Sequence, residues 1–179
     1  MALYRTLYPG FAERHRADLS DDELDLGRWL GDAMGDLVVA NDGDRCLVHG
    51  DFRLDNLLFG TGPGAPPITT VDWQTVSYGF GLSDVAYLLS AGLTPADRRA
   101  NEDGLLHVYR EALAAHGVML APGDVRHGYR LGSASGYAMA VSASQIVERT
   151  GRGDAMFVAM AREAAGQMVD VDLPGLLGR

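Results

Sequence analysis

The chain contains no lysine: all 15 of its basic residues are arginine. It has one cysteine, Cys46, so no internal disulfide can form. No stretch approaches the ~18 unbroken apolar residues of a membrane-spanning helix. The opening residues, MALYRTLYPGFAERHR, lack the apolar core and small-residue cleavage site of a signal peptide. These absences together predict a cytoplasmic protein with no membrane partner. Basic residues are also outnumbered by 24 acidic ones, for a net charge of −9. That balance argues against a nucleic-acid partner, which would need a basic face to neutralise phosphates. It keeps the protein soluble and tolerates a cationic substrate. There are no repeats, no low-complexity tract and no interdomain linker. With 179 residues, 47% of them apolar, the chain suits one domain or one lobe of a larger unit.

The patterning that is present reads as a helix, a small β patch, then four helices. Ser20-Asp21-Asp22-Glu23 is a capping-box pattern. Leu26, Trp29, Leu30, Ala33, Met34 and Leu37 follow at helical spacing, predicting a helix over 21–39. Asn41 to Asp44 is a turn. Short strands are expected at 45–48, 56–59 and 68–73, the last two joined by the glycine- and proline-rich GTGPGAPP. Cys46 is expected to be buried in the first strand. From Leu82 on the pattern is helical, with Ser83 or Asp84 as a cap for a segment reaching Ala91. Thr94-Pro95 opens a helix that ends at His116-Gly117, despite Gly104 in its interior. Further helices are expected at 123–149 and from Gly153-Asp154, with Met156, Phe157, Met160, Ala164 and Met168 along one side.

Between the first two strands lies HGDFRLDN, residues 49–56, where charge is far denser than a buried strand carries. Asp51 and Asn56 are five residues apart in this loop. Asp72 follows at the end of the hairpin, which returns a second carboxylate toward the same end of the sheet. Two carboxylates and an amide oxygen converging on one point make a hard oxygen site of the kind that suits Mg²⁺. Arg53 fits either an ion pair with Asp55 or a contact to phosphate or substrate. The histidines at 15, 107, 116 and 127 lie on helices without metal-ligand spacing.

His49-Gly50-Asp51 followed by Asn56 reads H-G-D-x-x-x-x-N, with Val71-Asp72-Trp73 one hairpin later and YGFGLSDVAYLL after that. These residues resemble the aminoglycoside phosphotransferase and choline kinase-like family, small-molecule kinases related to protein kinases. The likeness is specific over 45–92 and extends to 93–179 only as a compatible helical pattern. It implies an α+β, mainly α, protein-kinase-like C-terminal lobe, in which a small β-hairpin patch carries the catalytic loop. It also implies ATP- and Mg²⁺-dependent phosphoryl transfer to the hydroxyl of a small-molecule alcohol. In the implied roles Asp51 accepts or orients the hydroxyl proton, Asn56 and Asp72 hold the metal, His49 braces the loop, and Asp84 hydrogen-bonds the loop backbone.

The nucleotide lobe of that family is not legible in this sequence. About 44 residues precede the loop and they read as helix. No glycine-rich phosphate loop leads into a lysine-bearing strand, and a chain without lysine cannot supply the phosphate lysine. The expectation is therefore a C-terminal lobe over 1–179, truncated at its N-terminus, with the nucleotide lobe upstream or on a separate chain. Two other readings remain open here. One is a non-catalytic remnant or binding module; the other is a metal-dependent phosphoesterase using Asp51, Asn56 and Asp72.

Overall fold

A computed structural model describes residues 2–178. Two helices come first, α1 (Ala2–His15) and α2 (Asp21–Ala40). Both bonds of the Ser20 capping box are present: Glu23 N donates to Ser20 Oγ at 3.2 Å, and Ser20 N donates to a Glu23 carboxylate oxygen at 2.7 Å. Four short strands follow, β1 (Cys46–Val48), β2 (Leu57–Phe59), β3 (Ile68–Thr70) and β4 (Ser77–Gly79). They form two separate antiparallel pairs, β1 with β4 and β2 with β3. The rest is helical: α3 (Gly81–Gly92), α4 (Pro95–Ala115), α5 (Pro122–Gly132), α6 (Ala134–Ile146), α7 (Gly151–Asp170) and the single turn α8 (Leu173–Leu176). The mainly helical α+β architecture read from the sequence is what the chain adopts.

One hydrophobic cluster joins α1 to α7, with α6 and α7 packed side by side and α3 lying against α5, α6, α7 and β1. Phe11, Leu30, Tyr129, Tyr137, Ala140, Val141, Ala161, Ala164 and Met168 are completely buried. The buried tyrosines keep their hydroxyls bonded, as burial of a polar group requires. Tyr4 donates to the Gly27 carbonyl and Tyr137 to the Glu23 carbonyl, each at 2.8 Å. These bonds tie α1 and α6 to α2.

Several sequence expectations are corrected. The helix expected over 123–149 is two helices, α5 and α6, that break at Ser133. A Cβ on Gly132 would lie 2.6 Å from the Leu82 carbonyl oxygen, so α5 can approach the start of α3 only with glycine at its end. The strand expected over 68–73 stops at Thr70 because Asp72 has φ 64 and ψ 56, a left-handed conformation that no strand contains. The strand expected from 56 begins at Leu57, since Asn56 closes a short 3₁₀ turn over Leu54–Asn56. Strand β4 has no counterpart in the pattern, and α1 falls within the opening residues that read as helix without bounds of its own. Helix α3 begins at Gly81 with no side-chain cap, so neither Ser83 nor Asp84 caps it. Helix α7 begins two residues early because Thr150 is its cap. Cys46 is exposed, since among β1 residues only Val48 is covered. Gly104 does not interrupt α4.

Candidate active site

The loop from His49 to Asn56 hangs from α3. Asp84, in the first turn of that helix, accepts the backbone N–H of His49 at 2.6 Å and of Gly50 at 2.9 Å, one through each carboxylate oxygen. Two charge-assisted bonds from one rigid helix set the height and direction of the loop. Gly50 has φ 81, and a Cβ there would meet the Thr75 carbonyl oxygen at 2.8 Å. The loop therefore turns so tightly against the 3₁₀ turn Trp73–Thr75 that only glycine fits. Thr75 Oγ1 donates to the His49 carbonyl at 2.7 Å and closes this contact.

His49 is buried and bridges the two halves of the β patch. Its Nδ1 accepts the Asp51 N–H at 3.3 Å, which leaves Nε2 as the donor to the Val71 carbonyl at 2.9 Å. Its ring packs on Trp73, with centroids 4.8 Å apart.

The Asp51 carboxylate is held from three sides and its side chain is 20% exposed. The Tyr87 hydroxyl donates to Oδ1 at 2.8 Å. Asn56 Nδ2 donates to Oδ2 at 3.1 Å and to the Asp51 carbonyl at 2.8 Å. Arg53 Nε lies 3.5 Å from Oδ1 without making a hydrogen bond, and its Nη1 pairs with Asp55 at 3.1 Å. Burial, reinforced by the adjacent Asp51 charge, pushes the Tyr87 phenol well above its ordinary pKa, so it is a permanent donor.

Asn56 spends its amide nitrogen on Asp51, and among the described residues its amide oxygen takes no hydrogen bond. The Val71 N–H donates to the Asn56 carbonyl at 3.0 Å, so Asp72 stands one residue beyond the strand position facing Asn56. Asp72 is exposed, makes no hydrogen bond or ion pair among the described residues, and is held in the left-handed conformation that Asp tolerates better than most residues. An amide oxygen and a carboxylate are both ligand types that a divalent cation takes when water and phosphate oxygens complete its shell. Among the described residues no three His, Cys, Asp or Glu side chains gather to hold a metal, so protein ligation here would rest on Asn56 and Asp72.

The residues singled out from the sequence thus lie together, with His49, Asp51 and Asn56 in one loop, Asp72 at the end of the neighbouring hairpin, and Asp84 beneath. Sequence reasoning missed Tyr87, although Tyr87 lies three residues after Asp84 on the same helix face. Once Asp84 is aimed at the loop, the residue one turn later is aimed there too. It also missed the turn around Thr75 that makes Gly50 obligatory.

Comparison with known proteins gives the family. A family model described as "Phosphotransferase enzyme family" matches residues 2–140. The acyl-CoA dehydrogenase family member 11 of Rattus norvegicus is 36% identical over 77 residues, which are 43% of this chain and 9% of that protein. Its Homo sapiens counterpart is 39% identical over 62 residues, 35% of this chain and 7% of that protein. The aligned segment thus spans less than a tenth of the length of these relatives. No solved structure matches the chain significantly. With the family model covering well over half of the residues, the chain belongs to the phosphotransferase enzyme family.

Proposed function

We propose that this chain is the acceptor-side lobe of a small-molecule kinase, which transfers the γ-phosphoryl group of ATP to the hydroxyl of an alcohol. The observation that carries the reading is the Asp51 carboxylate, partly open to solvent and fixed by Tyr87 and Asn56 in a loop anchored to α3. Transfer of this kind is mostly positioning and charge stabilisation. Asp51 accepts a hydrogen bond from the acceptor hydroxyl and points its oxygen at the γ-phosphorus. As the new O–P bond forms, the bond to the β,γ-bridging oxygen breaks, ADP departs, and the hydroxyl proton passes to Asp51. Tyr87 holds the carboxylate still during this step, and His49 and Asp84 hold the loop. Asn56 Oδ1 and the Asp72 carboxylate would hold Mg²⁺, which supplies charge neutralisation on the phosphate oxygens.

The nucleotide needs a cover that the described residues do not provide. The β patch leaves Leu47, Leu58, Phe59, Ile68 and Tyr78 more than half exposed, apolar surface that a nucleotide lobe lying upstream or on another chain would cover. The lysine of such a lobe would come from there too, since this chain has none.

The test is steady-state kinetics on a protein that carries both lobes. Asp51→Asn should lower kcat by at least ~10²-fold, the low end of general-base contributions. Asp72→Ala should weaken binding of Mg-nucleotide itself. Near-normal turnover in the first variant would remove Asp51 from the base role, whereas no turnover in the two-lobed parent would leave the non-catalytic module as the better account. ATP-independent hydrolysis of a phosphomonoester would favour the phosphoesterase.

A further inference from the structure

A cavity of about 410 Å³ opens where the end of α2, strand β1, the start of α3 and the helices α4 and α5 meet. Its partly buried walls are apolar: Phe80 and Leu82 at the start of α3, Leu113 near the end of α4, and Leu120 just before α5. Its rim is exposed and charged, with Asp42 and Asp44 in the turn after α2 and Asp124 in the first turn of α5. None of His49, Asp51, Asn56, Asp72 and Asp84 borders it, so it is separate from the candidate active site.

The polar groups around this cavity are unmatched. Among the described residues, the carboxylates of Asp42, Asp44 and Asp124 make no hydrogen bond or ion pair. Arg45, also on the rim, is spent on a ring: its guanidinium lies 4.8 Å from the Phe80 centroid, a cation–π contact. With His127 counted as neutral, three carboxylates against one guanidinium leave the mouth negative. Tyr109 lines the cavity too, and among the described residues its hydroxyl takes no hydrogen bond. A Cβ on Gly81 would lie 2.8 Å from Tyr109 Oη and 3.2 Å from Cys46 Sγ, so glycine at the start of α3 leaves room for both groups. Burial raises the Tyr109 pKa, an effect to which Cys46 and Asp84 add, so the hydroxyl keeps its proton. Apolar walls with a few unspent polar groups converging on them are what small-molecule cavities show.

We propose that this cavity is a second binding site, and that it takes a small organic cation whose apolar body lies against Phe80, Leu82, Leu113 and Leu120 and whose charge sits among Asp42, Asp44 and Asp124. The Tyr109 hydroxyl is available to one polar atom of the body. The site does not depend on phosphoryl transfer, because none of its residues belongs to the Asp51 constellation.

Cys46 supplies the readout, since it is the only cysteine of the chain, is exposed and lines this cavity. Alkylation of the 179-residue chain by iodoacetamide is followed by mass spectrometry against rising concentrations of (4-phenylbutyl)trimethylammonium, 4-phenylbutanol or 4-phenylbutyrate. A ligand bound elsewhere leaves the thiol open, so the concentration dependence reports this site alone. The cation should slow alkylation saturably, by about ten-fold at roughly ten times its Kd. Its Kd should be about five-fold or more below that of the alcohol, the modest gain that several exposed charge pairs supply, and the carboxylate should protect least. The triple variant Asp42→Asn/Asp44→Asn/Asp124→Asn should bring the cation to within about two-fold of the alcohol and leave the alcohol itself unchanged. All three side chains are exposed, so the fold should persist, as a thermal melt would verify. If the variant unfolds, raising the salt on the parent from about 0.05 M to about 0.5 M decides instead, because screening should shrink the cation's advantage and not touch the alcohol. No saturable protection by any of the three compounds would overturn the site. Equal protection by cation and carboxylate would overturn the choice of a cation, and tightest protection by the carboxylate would assign the cavity to anions held by Arg45.

Discussion

Asp51 depends on a phenol that looks, in the sequence, like one more apolar position of α3. Tyr87 is 1% exposed, and its hydroxyl is aimed at the carboxylate rather than at solvent. Replacing it with phenylalanine keeps the packing and removes one hydrogen bond to a charged group, which contributes about 1.5–3 kcal/mol. On the proposed function, Tyr87→Phe in a two-lobed protein should therefore lower kcat about ten-fold or more, with melting temperature falling only by the several degrees that one such bond accounts for. A variant equally impaired in stability would mean that the bond holds the fold rather than the base. Gly50 makes the opposite case, a residue whose importance is what it lacks. Gly50→Ala forces a side chain into the left-handed region, at about 1–2 kcal/mol, and against the Thr75 carbonyl at 2.8 Å. Denaturant unfolding should register a loss of at least that size. An unchanged midpoint would show that the loop can turn another way.

At the scale of elements, two glycines in helices make predictions of opposite sign. Gly104 lies inside α4 with open space where its Cβ would be. Gly104→Ala should stabilise by ~0.5–1 kcal/mol through helix propensity alone. Gly132 ends α5 against the backbone of Leu82 and Ser83, with 2.6 Å to the Leu82 carbonyl. Gly132→Ala should destabilise despite alanine's better propensity, because α5 must move off the start of α3. That same helix start positions Asp84, so this variant should also loosen the 49–56 loop, readable as faster amide exchange at His49 and Gly50. A destabilisation confined to α5 would mean the two helices are not coupled there.

For the whole molecule, a buried histidine at the end of α1 makes stability depend on pH. His15 closes α1, is 1% exposed, packs on Phe11 at 4.9 Å and leaves its Nε2 without a partner. Burial lowers its pKa, an effect that the Asp154 charge only partly opposes. The unfolded chain therefore takes up this proton more readily than the folded one. The stability contributed by neutral His15 is present above its unfolded pKa, about 6.5, and is lost as pH falls through the lowered folded value. Unfolding free energy should drop as pH falls below about 6.5, and His15→Phe should flatten that slope. A parallel slope in the variant would place the acid sensitivity elsewhere. A second loss is expected below about pH 4. Asp170, although partly desolvated, is held below the usual carboxylate range by Arg99 and Arg98, which link α4 to α7.

The sequence alone determined the features that follow from local chemistry. Ser20 with Glu23 marked the start of α2 because a capping box is complete within four residues. The spacing of Asp51, Asn56 and Asp72 marked the candidate site because a short loop and one hairpin leave few ways to arrange them. Mainly helical periodicity marked the class. Tertiary contact decided the rest. Asp84 had the sequence of a helix cap, yet the loop's N–H groups, 34 and 35 residues away in the chain, are what it bonds. Cys46 had the sequence of a core strand, yet β1 pairs only with β4 and lies open. The break at Ser133 has no local signal, because its cause is the backbone of α3 pressing on Gly132. Local pattern reports which groups a segment offers, and only packing of distant segments decides which of those groups meet.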